Sequence, residues 1–166
     1  YNRFYFVHPD GAVQHYDKKH LFTFGGEHKR FTAGTERVVV NFRGVRILLE
    51  VCYDLRFPVW SRNLGDYDMI LYVASWPTPR VDAWSALLRA RAIENQCYVA
   101  GVNRMGTDPA CEYSGGSAII DPYGKTIAEC PWSRESAVSA DIDMEALQAF
   151  RKKFPVLDDA DPFTLI

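Results

Sequence analysis

The sequence predicts an α/β fold in which helices pack on a mixed β-sheet, and three observations lead to this prediction. Residues 69–75 form a continuous apolar run, M-I-L-Y-V-A-S, as expected of a strand that is buried on both faces. Residues 79–96 follow it with apolar side chains at helical spacing on one face, namely Val81, Trp84, Leu88 and Ala92. Hairpin patterns lie at both ends of the chain, so the sheet should combine parallel crossovers with antiparallel pairs.

The first half of the chain predicts two hairpins separated by a long loop. Strands at 4–7 and 12–16 flank the turn sequence H-P-D-G, and strands at 37–42 and 45–52 flank R-G. Residues 17–35 between the hairpins show no hydrophobic period and contain several glycines. Because long loops inside compact domains usually carry function, we expect site residues in this segment.

The second half predicts an alternation of helices and strands that ends in a tail. A helix begins at Pro58 and ends at Gly65, before the strand at 69–75 and the long helix at 79–96. The later elements are a strand at 97–103, a hairpin of 116–120 and 126–129 around D-P-Y-G, a strand at 136–143, a helix at 144–154, and a tail at 155–166 that we expect to pack as an arm.

Composition predicts a single domain that spans residues 1–166, because 48% of the 166 residues are hydrophobic and can form one core. The chain has 19 Lys+Arg against 21 Asp+Glu, which gives a formal net charge of -2. Nucleic-acid-binding proteins usually carry an excess of basic residues, and this composition shows none. The longest apolar runs are far short of a membrane span. The chain opens at Tyr1 within a strand-like pattern, which predicts a domain truncated at its N-terminus.

The cysteines indicate a reducing compartment and no metal site. No two of them form a C-x-x-C pair, and the four histidines add no zinc-like spacing. Two disulfides are possible by count, but four free thiols in the cytoplasm are the favoured interpretation. The four are Cys52, Cys97, Cys111 and Cys130.

Cys52 differs from the other cysteines because it ends an apolar strand and opens a turn into a helix. Amides at a helix N-terminus favour a thiolate and can hold a developing oxyanion, so this position is compatible with catalysis as well as with inert packing. A nucleophilic thiol also needs a proton acceptor. The sequence offers a carboxylate–lysine pair that includes Lys18, or one of four histidines, which are His8, His15, His20 and His28.

Three motifs in order resemble the nitrilase, or carbon–nitrogen hydrolase, superfamily: K-K-H-L-F, V-C-Y-D-L-R-F-P and R-A-R-A-I-E-N-Q-C-Y-V-A-G-V-N-R. The S-W-P motif and the tail F-P-V-L-D-D-A-D-P-F are most similar to its bacterial omega-amidase branch. The resemblance implies a four-layer αββα sandwich, usually assembled as a homodimer. It also implies a Glu-Lys-Cys catalytic set without a metal or an organic cofactor.

Carried over by position, the resemblance implies that Cys52 is the nucleophile and that Lys18 stabilises the thiolate and then the oxyanion. The backbone amide of Tyr53 would share the oxyanion. The general base of the family is a glutamate from a segment that would precede Tyr1, and no residue here matches it. Glu27 follows Lys18 by nine residues and is either the auxiliary glutamate of the family or a solvated loop carboxylate.

Other residues near the motifs are open to two interpretations. Arg56 could pair with Asp54 to fix the turn, or face a substrate carboxylate. Trp76 lies where open α/β sheets place ligands, and could form the pocket wall or simply pack. Glu50 should point to the same face as the thiol, as a core acid held by Arg56 or by Arg46 rather than as a catalytic group.

These expectations predict an amidase that hydrolyses the carboxamide of a small dicarboxylic acid monoamide, such as 2-oxoglutaramate or succinamate, through a Cys52 thioester. Three alternatives stay open at this point. The chain could be a non-catalytic fragment or partner with the same fold, a family enzyme that acts on nitriles or N-carbamoyl compounds, or a papain-like hydrolase that pairs Cys52 with a histidine.

Overall fold

The computed structural model describes residues 1–164 and contains a six-stranded mixed sheet with two small hairpins beside it. The strands are β1 (Arg3–Val7), β2 (Val13–Asp17), β3 (Val39–Phe42), β4 (Val45–Val51), β5 (Met69–Ala74), β6 (Tyr98–Asn103), β7 (Met105–Thr107), β8 (Glu112–Ser114), β9 (Ala118–Ile120) and β10 (Thr126–Glu129). The helices are α1 (Pro58–Ser61), α2 (Val81–Glu94) and α3 (Met144–Lys153).

The large sheet has the order β10-β9-β6-β5-β4-β3. Its three central strands β4, β5 and β6 run parallel, and β3, β9 and β10 add antiparallel edges. Helix α2 makes the crossover between β5 and β6, which is the right length of connection for a parallel pair. The predicted α/β class with a mixed sheet is therefore confirmed.

The two faces of the sheet are covered by different elements, as the alternation of side chains along a strand requires. Leu48 of β4, Ile70 of β5 and Val99 of β6 lie side by side on one face. They pack with Trp84 and Leu88 of α2. A Cβ at Gly101 of β6 would lie only 2.7 Å from the side chains of Trp84 and Leu88. The lack of a side chain at Gly101 therefore lets α2 pack closely on the sheet. The opposite face packs against the β1–β2 hairpin and α3, through Phe4, Tyr16 and Leu147.

Two predicted elements are wrong in extent or kind. The helix that begins at Pro58 ends at Ser61 rather than Gly65, because Asn63 turns inward and its amide donates to the carbonyl oxygens of Tyr67 and Asn95. Residues 136–143 form no strand, since most of this segment is exposed and no strand of the described part of the chain pairs with it. The segment instead leads to Asp143, whose carboxylate accepts from the amide of Ala146 and caps α3.

The long loop at 17–35 is irregular, as predicted, but it is firmly attached to the first hairpin. Arg3 donates to both carboxylate oxygens of Asp17 at 2.7 and 2.8 Å. The carbonyl of Lys18 accepts from the amide of Gly34, and the amide of Lys18 donates to Asn2, each at 2.9 Å. A Cβ at Gly34 would collide with the backbone of Asp17, so only glycine fits there. These bonds fix the direction in which the Lys18 side chain leaves the backbone.

The end of the chain carries little regular structure. After α3, a short 3₁₀ turn covers Val156–Asp159, and most side chains of residues 155–164 are exposed. The last two residues of the predicted arm lie outside the described residues. The single domain at 1–166 and the packing of the arm therefore stay predictions. Within residues 1–164, none of the helices has the length and apolar character that crossing a membrane requires.

Candidate active site

A cavity of about 460 Å³ opens at the carboxyl ends of β4 and β5, which is the edge where open α/β sheets place ligands. Its volume lies within the usual range for small-molecule sites. All six predicted site residues line it, although they come from three separate stretches of the chain. The lining comprises Asn2, Lys18, Phe22, Glu27, Val51, Cys52, Tyr53, Arg56, Val73, Ala74, Ser75, Trp76, Pro77 and Arg80.

Cys52 occupies a strained elbow between β4 and a 3₁₀ helix that covers Cys52–Arg56. Its φ of +49° lies in the left-handed region, which non-glycine residues seldom adopt and which often marks functional sites. The side chain is half-buried, and Sγ lies 3.9 Å from the carbonyl oxygen of Ser75. The elbow therefore lifts the thiol out of the strand ladder and places it in the cavity.

Burial raises the pKa of the Cys52 thiol above its usual value, although the charge of Lys18 and the contact with Ser75 act in the opposite direction. The negative charges of Glu27 and Asp54 raise it further. The expectation that helix amides favour a thiolate here stays a prediction, because burial acts against it. Since burial favours the thiol, a base must take its proton before it can act as a nucleophile.

Lys18 and Glu27 form a buried ion pair beside the thiol. Lys18 is only 3% exposed, and its Nζ donates to Glu27 Oε2 at 2.6 Å. Glu27 also accepts from the side-chain amide of Asn2 at 2.8 Å and from the backbone amide of Phe22 at 2.6 Å. Burial pushes the pKa of Glu27 up, but these hydrogen bonds outweigh it and hold the pKa below its usual value. Glu27 is therefore an ionised partner of Lys18 and not a solvated loop carboxylate.

Asp54 connects the Lys18 loop to the cysteine elbow, and the predicted Asp54–Arg56 salt bridge is wrong. The fully buried carboxylate of Asp54 accepts from Tyr16 Oη and from both the amide and the ring Nδ1 of His20, each at 2.8 Å. It also accepts from the amide of Val51, the residue directly before Cys52, at 3.1 Å. Asp54 faces inward while Arg56 faces the cavity, because the two lie on different sides of the 3₁₀ turn.

Trp76 forms the wall of the cavity and also belongs to the core. It is only 3% exposed, and Asn103 accepts from its backbone amide at 2.7 Å. The indole Nε1 donates to the carbonyl oxygen of Arg80 at 2.7 Å. The guanidinium of Arg56 lies 5.1 Å from the centre of the indole ring, within the range of a cation–π contact. The two interpretations of Trp76 are therefore both correct.

Glu50 is a buried core acid, but neither predicted arginine holds it. Its Oε2 accepts from the hydroxyl of Ser61 at 2.9 Å, and its Oε1 has no hydrogen-bond partner within residues 1–164. Arg46 binds Asp68 instead, and Arg56 faces the cavity. Glu50 does not line the cavity that holds Cys52.

The histidines offer no partner for the thiol. Within the described part of the chain, none of the four lines the cavity. His20, the nearest in sequence to Lys18, directs Nδ1 at Asp54 and stacks on Phe57 with a centroid separation of 3.8 Å. A papain-like pairing with Cys52 is therefore absent from residues 1–164. The same residues contain no cluster of three or more potential metal ligands.

Comparison with known proteins identifies the family. The family profile described as Carbon-nitrogen hydrolase matches residues 1–152. The chain belongs to the carbon–nitrogen hydrolase family. It is 55% identical over 165 residues to the omega-amidase YafV of Escherichia coli K12, and 41% identical over 162 residues to a 2-oxoglutaramate amidase of Bacillus subtilis. These matches cover 99% and 96% of this chain, and they confirm the predicted similarity to the omega-amidase branch.

Solved structures of other proteins support the assignment of this chain to the carbon–nitrogen hydrolase family. The superfamily protein XC1258 of Xanthomonas campestris, whose active site holds an arsenic adduct, superposes with a TM-score of 0.95 at 48% identity. That match covers 99% of this chain and 65% of XC1258, and the nitrilase-type fold is thereby confirmed. Nit3 of Saccharomyces cerevisiae superposes with a TM-score of 0.84 at 26% identity, over 93% of this chain and 58% of that one. The chain spans 64% of the length of the E. coli relative.

Several residues of this hydrolase site have no clear signal in the sequence. Asn2 lies in the first hairpin and Phe22 in the loop, yet both bind Glu27. Arg80 enters the cavity from the turn before α2. Of these three residues, only Arg80 could have been suspected from the sequence. It lies four residues after Trp76, and Trp76 follows the strand whose end was expected to meet a ligand.

Proposed function

We propose that this chain supplies the nucleophile of an amidase that hydrolyses the carboxamide of a small dicarboxylic acid monoamide to the acid and ammonia. The observation that carries the proposal is that Cys52 shares one cavity with the buried Lys18–Glu27 pair. The relatives named omega-amidase YafV and 2-oxoglutaramate amidase support this substrate class.

The proposed reaction has two stages. A base takes the proton of the Cys52 thiol, and Sγ attacks the amide carbon to give a tetrahedral oxyanion. The carbon–nitrogen bond then breaks, the amine takes a proton and ammonia leaves, so that a thioester remains on Cys52. A water molecule, deprotonated by the base, attacks the thioester and releases the acid and the free thiol.

Lys18 stabilises the negative charge that appears in both stages. It is already buried and held by Glu27, so little reorganisation is needed when the oxyanion forms. The backbone amide of Tyr53, at the start of the 3₁₀ turn, is the proposed second donor, because the first amides of a helix lack partners within it. Glu27 acts as the auxiliary glutamate that positions Lys18.

The general base is a separate group. Glu27 is the only carboxylate that lines the cavity within residues 1–164, and its bonds to Lys18, Asn2 and Phe22 lower its pKa, which makes it a poor base. The expectation from the family resemblance, a glutamate in a segment that precedes Tyr1, therefore stays a prediction.

For the substrate, we propose that Arg56 contacts the carboxylate at the far end while Trp76 covers the aliphatic chain. Both residues line the cavity, and the guanidinium lies over the indole ring. We also propose that the protein works as a cytoplasmic homodimer without a cofactor. The four free thiols support the reducing compartment, and light scattering of the purified protein tests the dimer.

Ammonia release tests the function. We expect activity on succinamate and 2-oxoglutaramate, complete loss in Cys52→Ala with an unchanged circular dichroism spectrum, and a similarly severe loss in Lys18→Ala. The matched control is Cys111→Ala, which removes a half-buried thiol outside the cavity and should leave the rate unchanged. Ammonia release by Cys52→Ala at the original rate would end the proposal.

Two further substrates test the alternatives. If the protein hydrolyses a nitrile or an N-carbamoyl acid of matched length faster than succinamate, the family assignment stands but the amidase proposal fails. A folded protein with no activity on any of these compounds would favour the non-catalytic interpretation.

A further inference from the structure

The cavity contains two arginines that have no carboxylate partner. The salt bridges within residues 1–164 pair six other arginines with aspartate or glutamate, whereas Arg56 and Arg80 take part in none of them. Both nevertheless line the cavity that holds Cys52. An arginine that faces a cavity without an acidic neighbour is available for an anionic ligand.

Aromatic rings hold both guanidinium groups in place. Arg56 lies over Trp76 with 5.1 Å between Cζ and the ring centre, and Arg80 lies over Phe22 at 5.4 Å. Phe22 in turn packs edge-on against Tyr53, the residue after the nucleophile. These contacts limit the rotamers of two long side chains, so less conformational entropy is lost when a ligand binds.

Trp76 connects the two arginines through different atoms. Its ring face carries the guanidinium of Arg56, and its Nε1 donates to the backbone carbonyl of Arg80 at 2.7 Å. Arg56 reaches the cavity from the turn that also carries Cys52, while Arg80 reaches it from the segment before α2. The two arginines thus enter from separate elements, and Trp76 contacts both of them.

The remaining charges of the cavity cancel. The ammonium of Lys18 pairs with Glu27 at 2.6 Å, and burial favours the neutral form of the Cys52 thiol. Among the cavity residues that the structure describes, Arg56 and Arg80 therefore carry the uncompensated charge, and the excess stays positive when the expected general-base glutamate is added. Such an excess concentrates anions and disfavours cationic ligands.

We propose that Arg80 is a specificity-determining residue that binds the carboxylate of the substrate together with Arg56, as the second arm of a two-arginine clamp. The inference rests on the proposed amidase function and adds a residue and a selection rule to it. The clamp selects amides that carry an anionic group at the end away from the scissile bond, and neutral amides of the same length lose this interaction.

The side chain of Arg80 can be changed without disturbing the wall of the cavity. Trp76 bonds to the backbone carbonyl of Arg80, and that carbonyl persists in any variant. Arg80→Gln removes the charge, while Arg80→Lys keeps the charge and loses the two-pronged geometry. The matched control is Arg89→Gln, which removes an exposed arginine of α2 that does not line the cavity.

The experiment compares kcat/KM for succinamate with that for butyramide, a neutral amide of the same chain length. We expect Arg80→Gln to lower the value for succinamate by about 10- to 100-fold, mainly through KM, and to leave that for butyramide within about threefold. Arg80→Lys should fall between the two, and Arg89→Gln should match the original protein. An equal loss for both amides, or no loss for succinamate, would overturn the clamp.

A binding measurement separates this proposal from the proposed function. Titration calorimetry with succinate and butyrate needs no turnover, so it reports on the clamp even if no amide is hydrolysed. We expect succinate to bind more tightly than butyrate, and Arg80→Gln to remove most of that difference. If Arg80→Gln leaves the preference for succinate intact, the clamp is wrong whatever the protein hydrolyses.

Discussion

Glu50 makes the stability of this protein depend on pH, and replacing it by glutamine should remove that dependence. The carboxyl is fully buried, and within residues 1–164 its Oε2 accepts from the hydroxyl of Ser61 while its Oε1 has no hydrogen-bond partner. Burial raises the pKa of Glu50 from 4.5 to about 8, and repulsion from Asp54 adds to the effect. The nearby hydroxyl groups of Tyr72 and Ser61 and the charge of Arg91 act in the opposite direction but do not outweigh burial.

The sign and size of the effect follow from this difference. Between about pH 4.5 and pH 8 the folded protein binds more protons at Glu50 than the unfolded chain does, so its free energy of unfolding falls as the pH rises. A difference of one pKa unit corresponds to about 1.4 kcal/mol, so the loss across this range approaches roughly 5 kcal/mol. Below pH 4.5 the carboxyl is protonated in both states and its penalty disappears.

Urea denaturation from pH 5 to pH 9 measures the effect. We expect Glu50→Gln to match the original protein within about 1 kcal/mol at pH 5 and to exceed its free energy of unfolding by about 2–5 kcal/mol at pH 8.5. The exposed Glu36 provides the control, since Glu36→Gln should leave the pH profile unchanged. Parallel profiles for Glu50→Gln and the original protein would refute the reasoning. Ammonia release should persist in Glu50→Gln, because Glu50 does not line the cavity.

Three further predictions concern the elements that hold the site together. Lys18→Met should slow alkylation of Cys52 by iodoacetamide at pH 8 by about 3- to 10-fold, since Lys18 lowers the pKa of the thiol; an unchanged rate would show that its charge does not reach the sulfur. Gly34→Ala should lower the free energy of unfolding by more than about 2 kcal/mol and reduce kcat, because a Cβ collides with Asp17 and displaces Lys18. Urea titration and activity assays measure the two effects. The control is Thr35→Ala at the next position, which should change neither quantity. Asp54→Asn should lower the free energy of unfolding, measured by thermal denaturation, by about 3 kcal/mol, since an amide cannot accept all four hydrogen bonds of the buried carboxylate. A decrease below about 1 kcal/mol would contradict the role of Asp54 in connecting the Lys18 loop to the cysteine elbow.

The elements that the sequence predicted well are those whose signal is local. The apolar run of β5 and the helical spacing of α2 depend on neighbouring residues alone, and both elements lie within a few positions of their predicted bounds. The prediction for 136–143 was wrong because its composition suits a strand, but within residues 1–164 no strand pairs with it. A strand needs a partner, and the sequence of one segment does not contain that information.

In the candidate site, too, the features with a local sequence signal were predicted and those that depend on distant residues were not. The motifs around Lys18 and Cys52 located the site, because each places a reactive side chain at the end of a recognisable element. The partners of Asp54 could not be found in this way: they lie 3, 34 and 38 residues away, and in sequence Arg56 seemed the better partner. The direction of the Asp54 side chain within a short 3₁₀ turn decided which groups it binds.

The sequence by itself determined the fold class, the family and the positions of the proposed nucleophile and the proposed lysine, since periodicity and ordered motifs are properties of the chain. Only the tertiary structure decided that burial raises the pKa of the Cys52 thiol, that Glu27 is bound to Lys18, and that Arg80 shares the cavity. The physical reason is that burial, ion pairing and charge in a cavity depend on distances between residues far apart in the chain. Those distances exist only once the sheet has brought the strand ends together.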